Sequence, residues 1–131
     1  MYSQVNGMGL FGMNAFKVTA EIMSSRGQPS FDIVGLGDLA VQESKMRIKG
    51  ALSGIGISVS GQRLTVNLAP ADVRKCGSLY DFTIIAAILA VNNIITDDLS
   101  DCAFIGEVSL GGSLVFTGGI ISMAIEARNA V

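Results

Sequence analysis

The chain has 131 residues, half of them hydrophobic and 15% charged, so it can fill the core of one domain and is not a disordered tail. Nine Lys and Arg against eleven Asp and Glu give a net charge of −2, which excludes a strongly basic nucleic-acid binder but not a local basic patch. Histidine is absent, and with it any Ser-His-Asp or Cys-His nucleophile system and any His-ligated zinc or iron site.

Sixteen glycines and only two prolines make the turns mostly glycine turns. A first strand is expected over Tyr2 to Leu10 and a second over Ala15 to Met23. In the second, Phe16, Val18, Ala20 and Ile22 alternate with Lys17, Thr19, Glu21 and Met23, the period of a half-buried strand. A turn at Arg26 to Pro29 leads to a third strand, Phe31 to Val34. Gly35-Leu36-Gly37 then opens a helix that Asp38 is expected to cap and that runs to about Ser53. Val41, Ile48, Leu52 and Ile55 draw its apolar stripe, and Glu43 and Arg47 are spaced for an i,i+4 ion pair.

Ile57 to Ser60 and Arg63 to Leu68 read as a hairpin turned at Gly61-Gln62. After the loop Ala69 to Gly77, Ser78 is placed to cap a second helix, with Asp81 completing a capping box. Phe82 to Val91 is apolar on every side and is expected to be buried all round; Asn92-Asn93 weakens the helix beyond it. Thr96-Asp97-Asp98 reads as the cap of a short turn or helix. Cys102 to Leu110 and Ser113 to Phe116 form a hairpin at Gly111-Gly112, and a last helix covers Ile120 to Ala130. This order defines an α+β domain with a mixed sheet. The helix reaches Val131 with no capping signal, so the chain is expected to be a fragment of a longer protein.

Cys76 and Cys102 fit neither a CxxC redox pair nor a metal knuckle. They are expected to be free, buried thiols of a reduced compartment, one disulfide being the alternative. No secretion signal is visible at the N-terminus. Phe82 to Thr96 is too short to span a bilayer, and glycine pairs break the uncharged run Val108 to Ile125, so a soluble, cytoplasmic protein without membrane contact is expected.

Three constellations could carry chemistry. Gly35-Leu36-Gly37-Asp38-Leu39-Ala40 fits a dinucleotide fingerprint at a helix start. No acidic residue occurs from Gly50 through Pro70, where the ribose partner should lie, and Asp38 would repel phosphate, so a glycine turn with an Asp cap explains it better. Lys75 and Ser78 could form a Ser-Lys hydrolase pair, but the capping box accounts for Ser78, and Lys75 is expected to point to solvent. Lys45, Arg47, Lys49, Arg63, Arg74 and Lys75 lack interleaved aromatics and read as solvated charge, with a few phosphate contacts at most. There is no P-loop and no evident metal or cofactor site in these residues.

Arg26-Gly-Gln-Pro-Ser-Phe-Asp-Ile-Val-Gly-Leu36, Ala40-Val-Gln-Glu-Ser44, Thr65-Val-Asn-Leu-Ala-Pro-Ala-Asp-Val-Arg-Lys75 and Gly106-Glu-Val-Ser-Leu-Gly-Gly112, in this order, resemble the N-terminal domain of the magnesium-chelatase-like AAA+ ATPases of the competence protein ComM type. The resemblance covers nearly the whole chain, Asn67-Leu-Ala-Pro-Ala-Asp72 being its most specific piece. It implies a fold like the Lon proteolytic domain, the ribosomal protein S5 domain 2-like fold. It also implies that residues 1–131 form a single domain ahead of an ATPase module. The parent would use ATP and magnesium, assemble as a homo-oligomeric ring and act on DNA as a helicase or branch-migration factor. Laid on the Lon-type pattern, the nucleophile position falls on Leu79 and the lysine position on Ile121, so no catalytic residue is expected here. The usual Gly-Leu-Pro-Asp is Gly35-Leu-Gly-Asp38 in this chain. The expected role is a non-catalytic accessory domain contacting its own ATPase module, the ring or DNA through the Ala69 to Gly77 loop, with Asp72, Arg74 and Lys75 as candidate contacts.

Overall fold

The computed structural model describes residues 1–59, 61–75, 77–116 and 118–131. Its centre is a four-stranded mixed sheet of β1 (Tyr2–Phe11), β2 (Asn14–Arg26), β3 (Ser30–Val34) and β4 (Gln62–Ala69), in the order β1-β2-β4-β3. β1 and β2 form a long antiparallel hairpin, β4 pairs antiparallel with β2, and β3 joins β4 in parallel. The remaining elements are helices α1 (Asp38–Gly54), α2 (Asp81–Val91) and α3 (Ile120–Ala130) and a two-stranded ribbon of β5 (Glu107–Val108) and β6 (Leu114–Val115). The α+β class with a mixed sheet is thus as the sequence indicates.

The period-2 pattern sets the sheet's inner face. Val18, Ala20 and Ile22 of β2 and Leu64, Val66 and Leu68 of β4 are buried, and they pack with Ile48 and Leu52 of α1 and Ile84 and Ile88 of α2. Helix α2 is the apolar-all-round helix and lies against β1 and β2, with six consecutive residues, Thr83 to Ile88, buried. Two glycines of β1 allow this approach. A Cβ at Gly7 would lie 2.5 Å from Thr83 Oγ1, and one at Gly9 would lie 2.6 Å from Tyr80 Oη. Helix α3 contacts β1 and β2, and its fully buried Met123 and the equally buried Met8 of β1 stand outside the main core cluster. By strand alternation Met8 points away from the face that Gly7 and Gly9 turn to α2, which sets α3 on the sheet's second side.

Several local expectations are corrected. Ile57 to Val59 is not a strand, because both edges of β4 are already taken, by β2 and by β3; Ile57 and Val59 instead pack half-buried against the core, and Ser60 lies outside the described residues. The N-cap of α1 is Gly37, and Asp38 is its first helical residue without a side-chain cap bond. Ile55 falls past the helix and is exposed, whereas Val41, Ile48 and Leu52 are buried as the stripe requires. Helix α2 starts at Asp81 with Tyr80 as N-cap, not at Ser78, because the Asp81 side chain turns into the protein rather than back to Ser78. Among the described residues the second hairpin pairs at Glu107–Val108 and Leu114–Val115, shorter than expected; upstream, Ala103 makes an isolated parallel bridge to Asn6. Cys102 is a free thiol as expected, but half-buried, and Cys76 lies outside the described residues.

Candidate functional site

The glycine turn after β3 and the loop after β4 lie side by side at one end of the sheet, because β3 and β4 are parallel neighbours. Between them opens a cleft of about 660 Å³ lined by Gly35, Gly37, Glu43, Arg47, Arg74, Lys75, Ser78 and Glu107, among others. The structure therefore gathers the glycine turn, the Lys75 and Ser78 pair and the basic residues Arg47 and Arg74 in a single cleft. Asp72 is exposed on the same loop. Lys45, Lys49 and Arg63 do not line it.

Lys75 does not point to solvent. It is 4% exposed, and its ammonium donates to the carbonyl oxygens of Pro70 and, at 2.9 Å, Val73. Those bonds tie the loop to itself and offset part of the cost of burying a charge. Burial lowers the lysine's pKa from its ordinary 10.5, and the charge of Asp72 works in the opposite direction. Gly35, at φ +105°, lies beneath this lysine: a Cβ there would be 3.2 Å from Lys75 Cε and 2.7 Å from the Leu68 carbonyl oxygen. Only glycine meets both demands at that position.

Below the cleft lies a polar cluster that local sequence signals did not reveal. Asp81, fully buried, accepts hydrogen bonds from Ser44 Oγ (2.8 Å), Arg47 Nε (2.6 Å), Arg47 Nη2 (3.2 Å) and the Val108 backbone N–H (3.3 Å). This ties α1, α2 and β5 together. Arg47 therefore pairs with Asp81 and not with Glu43, whose charge, like that of Glu107, acts on it only at longer range. The hydrogen bond to Asp81 raises the Arg47 pKa further, so the guanidinium stays charged at every working pH. Ser44 and Arg47 are one turn apart on α1, but nothing in the sequence announces their partner on α2.

Leu79, the nucleophile position of the Lon-type pattern, is half-buried against the core, and its carbonyl accepts the Gly106 N–H at 2.9 Å. Ile121, the lysine position, lines a second, largely apolar groove together with Gly106. Among the described residues no group of three or more Cys, Asp or Glu could hold a metal ion, and no helix is long and apolar enough to cross a membrane.

Comparison with known proteins places the chain in a family. The family described as subunit ChlI of Mg-chelatase matches residues 20–131, and the chain belongs to it. It is 35% identical to competence protein ComM of Haemophilus influenzae over 91% of this chain and 24% of that protein. It is also 36% identical to the uncharacterized protein YifB of Escherichia coli, over 95% of this chain and 25% of that one. The chain spans about a quarter of the length of these relatives.

Proposed function

We propose that this chain is the non-catalytic N-terminal accessory domain of a magnesium-chelatase-like AAA+ ATPase, with the Lon-like, S5 domain 2-like fold. The parent would be a cytoplasmic, ring-forming protein that uses ATP and magnesium and acts on DNA. The observation that carries the reading is the match of 91% of this chain to a quarter of a competence protein. Leucine at 79 and isoleucine at 121 support the non-catalytic half of it, since neither can attack a carbonyl or activate a nucleophile. Of the three candidate loop residues, Asp72 and Arg74 are exposed and suited to meeting a partner, whereas Lys75 holds the loop's shape from inside.

The test is made on the full-length protein. Replacing Asp72 and Arg74 together with alanine is expected to weaken ring assembly or the stimulation of ATP hydrolysis by DNA while the thermal transition stays in place. Unchanged assembly and unchanged stimulation would remove the loop from the proposal, and absence of ATP hydrolysis in the unmodified full-length protein would overturn the parent assignment.

A peptidase reading remains open to test because Ser78 and Lys75 line one cleft. It asks Lys75 to be a neutral base, yet its ammonium is engaged as a donor to two carbonyls. Peptide hydrolysis abolished by Ser78→Ala would establish it. A nucleotide-binding reading through Gly35 and Gly37 predicts a rise in Tm with millimolar nucleotide.

A further inference from the structure

A second surface stands apart from the polar cleft. The ribbon strand β6 and the start of α3 enclose a groove of about 640 Å³ whose walls are Leu114, Phe116, Ile120 and Ile121, with Ile105 among the other lining residues. Among the described lining residues, Ser122 carries the one polar side chain. Phe116 is 94% exposed and Ile121 76% exposed, and Leu114 and Ile120 are exposed beside them. Gly119, in the lining, packs on Leu10 of β1. The outer sheet surface around Glu21 carries a polar network: Tyr2 Oη donates to Glu21 Oε2 at 2.9 Å, and Asn67 Nδ2 donates to Glu21 Oε1 at 3.0 Å.

Scattered exposed apolar residues need no explanation, but a contiguous apolar patch of aromatic and branched side chains marks a surface that another polypeptide covers. A small-molecule site would need a few convergent polar groups to orient its ligand, and the described residues of this groove offer one serine. We infer that the groove between β6 and α3 is the docking surface for the polypeptide that follows Val131 in the full-length protein, which supplies an apolar segment to cover Leu114, Phe116, Ile120 and Ile121. Two observations favour that occupant. About three quarters of each matched relative lies outside the matched region, so covering polypeptide is available within one molecule. Helix α3 also furnishes two of the groove's walls, and its 11 residues span only about 16 Å. About five extended residues after Val131 would bring the chain back to the groove. The closure is then intramolecular, at a high effective concentration. The inference rests on the proposed role as one domain of a longer protein.

The test compares thiol labelling at single cysteines introduced as Phe116→Cys, Ile121→Cys and, as a control on the exposed side of α1, Met46→Cys, with Cys76 and Cys102 changed to serine. Each is placed in the 131-residue chain and in the full-length protein, and ATP hydrolysis is measured on the same full-length samples. Labelling at Phe116→Cys and Ile121→Cys is expected to slow by about tenfold or more in the full-length protein, the occlusion given by a docked state favoured by 1.4 kcal/mol. The Met46→Cys rate should not change. Equal rates in the two proteins at all three positions would overturn the inference, as would slowing at all three alike, which would report general shielding. Protection that grows with concentration in the 131-residue chain would name a second copy as the occupant and overturn the one proposed. Loss of ATP hydrolysis with protection intact would sink the assignment of the parent and leave the docking surface standing.

Discussion

Asp81 gives the sharpest test of how the cleft is held together. Asp81→Ala removes a fully buried carboxylate and strands three donors at once, the guanidinium of Arg47, the hydroxyl of Ser44 and the backbone N–H of Val108. Breaking a buried ion pair from one side typically costs 3–5 kcal/mol, because the other charge is left without a partner. The Arg47 side chain is 21% exposed and can turn part of its charge to water, which puts the expected cost near the lower limit, about 3 kcal/mol. For a chain of this size that is a fall in Tm of about 10 °C. Thermal and urea unfolding followed by circular dichroism measure it directly. Arg47→Met alone should cost a similar amount, since it leaves the carboxylate buried with only neutral donors. The double variant Asp81→Ala with Arg47→Met should be less destabilised than the two single costs added together, by about 1–3 kcal/mol. A fall of under about 3 °C for Asp81→Ala, or strict additivity in the double variant, would refute the account of this cluster as a coupled unit.

Gly7→Ala places a methyl group 2.5 Å from Thr83 Oγ1 and 3.0 Å from the Phe104 carbonyl oxygen. It is expected to cost about 2 kcal/mol in urea unfolding, by forcing α2 away from β1; a neutral outcome would mean that the strand and helix are less closely packed. Lys75 has a folded pKa below its ordinary 10.5, so the unfolded chain binds more protons in the alkaline window beneath 10.5 and stability gained from this group rises with pH there. The Tm of the wild type relative to Lys75→Met should therefore move upward as pH approaches 10.5 from below; a downward move would show that the charged lysine is favoured in the fold. Asp98 accepts the backbone N–H of Ser100 at 3.0 Å, and this bond lowers its pKa below the ordinary 3.8. Its contribution is present above 3.8 and is lost as pH falls through the depressed folded value, so Asp98→Asn should lessen the acid sensitivity of the Tm in that range. An unchanged acid limb would discount the bond.

What the sequence made legible follows from how far apart the interacting residues lie. Strand β2 and helix α2 were recoverable because period-2 alternation in the one and an unbroken apolar run in the other are local signals that tertiary packing then reinforces. The segment Ile57 to Val59 carries the same alternation as a strand, yet pairing is a competition for edges. β4 spends one edge on β2, from far upstream, and the other on β3, across helix α1, and no local pattern reports that both are taken. Ser78 and Asp81 met the spacing of a capping box, but the carboxylate of Asp81 gains a guanidinium, a hydroxyl and a backbone N–H by turning inward. A charge-assisted, buried set of partners outweighs a cap worth about 1 kcal/mol.

Lys75 shows the same physics at the candidate site itself. Its neighbours in sequence are polar or small, which reads as a solvated loop, and the loop does expose Asp72 and Arg74. Lysine has a long apolar stem with a charge at its tip, and a loop that turns back on itself presents carbonyls that need donors. The stem passes over Gly35, where no side chain obstructs it, and the ammonium reaches the Pro70 and Val73 carbonyls. The glycine that produced the dinucleotide-like pattern and the lysine that suggested a hydrolase thus explain one another as two halves of a single packing contact. Gly35→Ala and Lys75→Met should both loosen the loop, which amide hydrogen exchange at Ala71 to Arg74 would report. If Gly35→Ala leaves that exchange unchanged, the contact does not hold the loop, and the catalytic reading of Lys75 regains its claim.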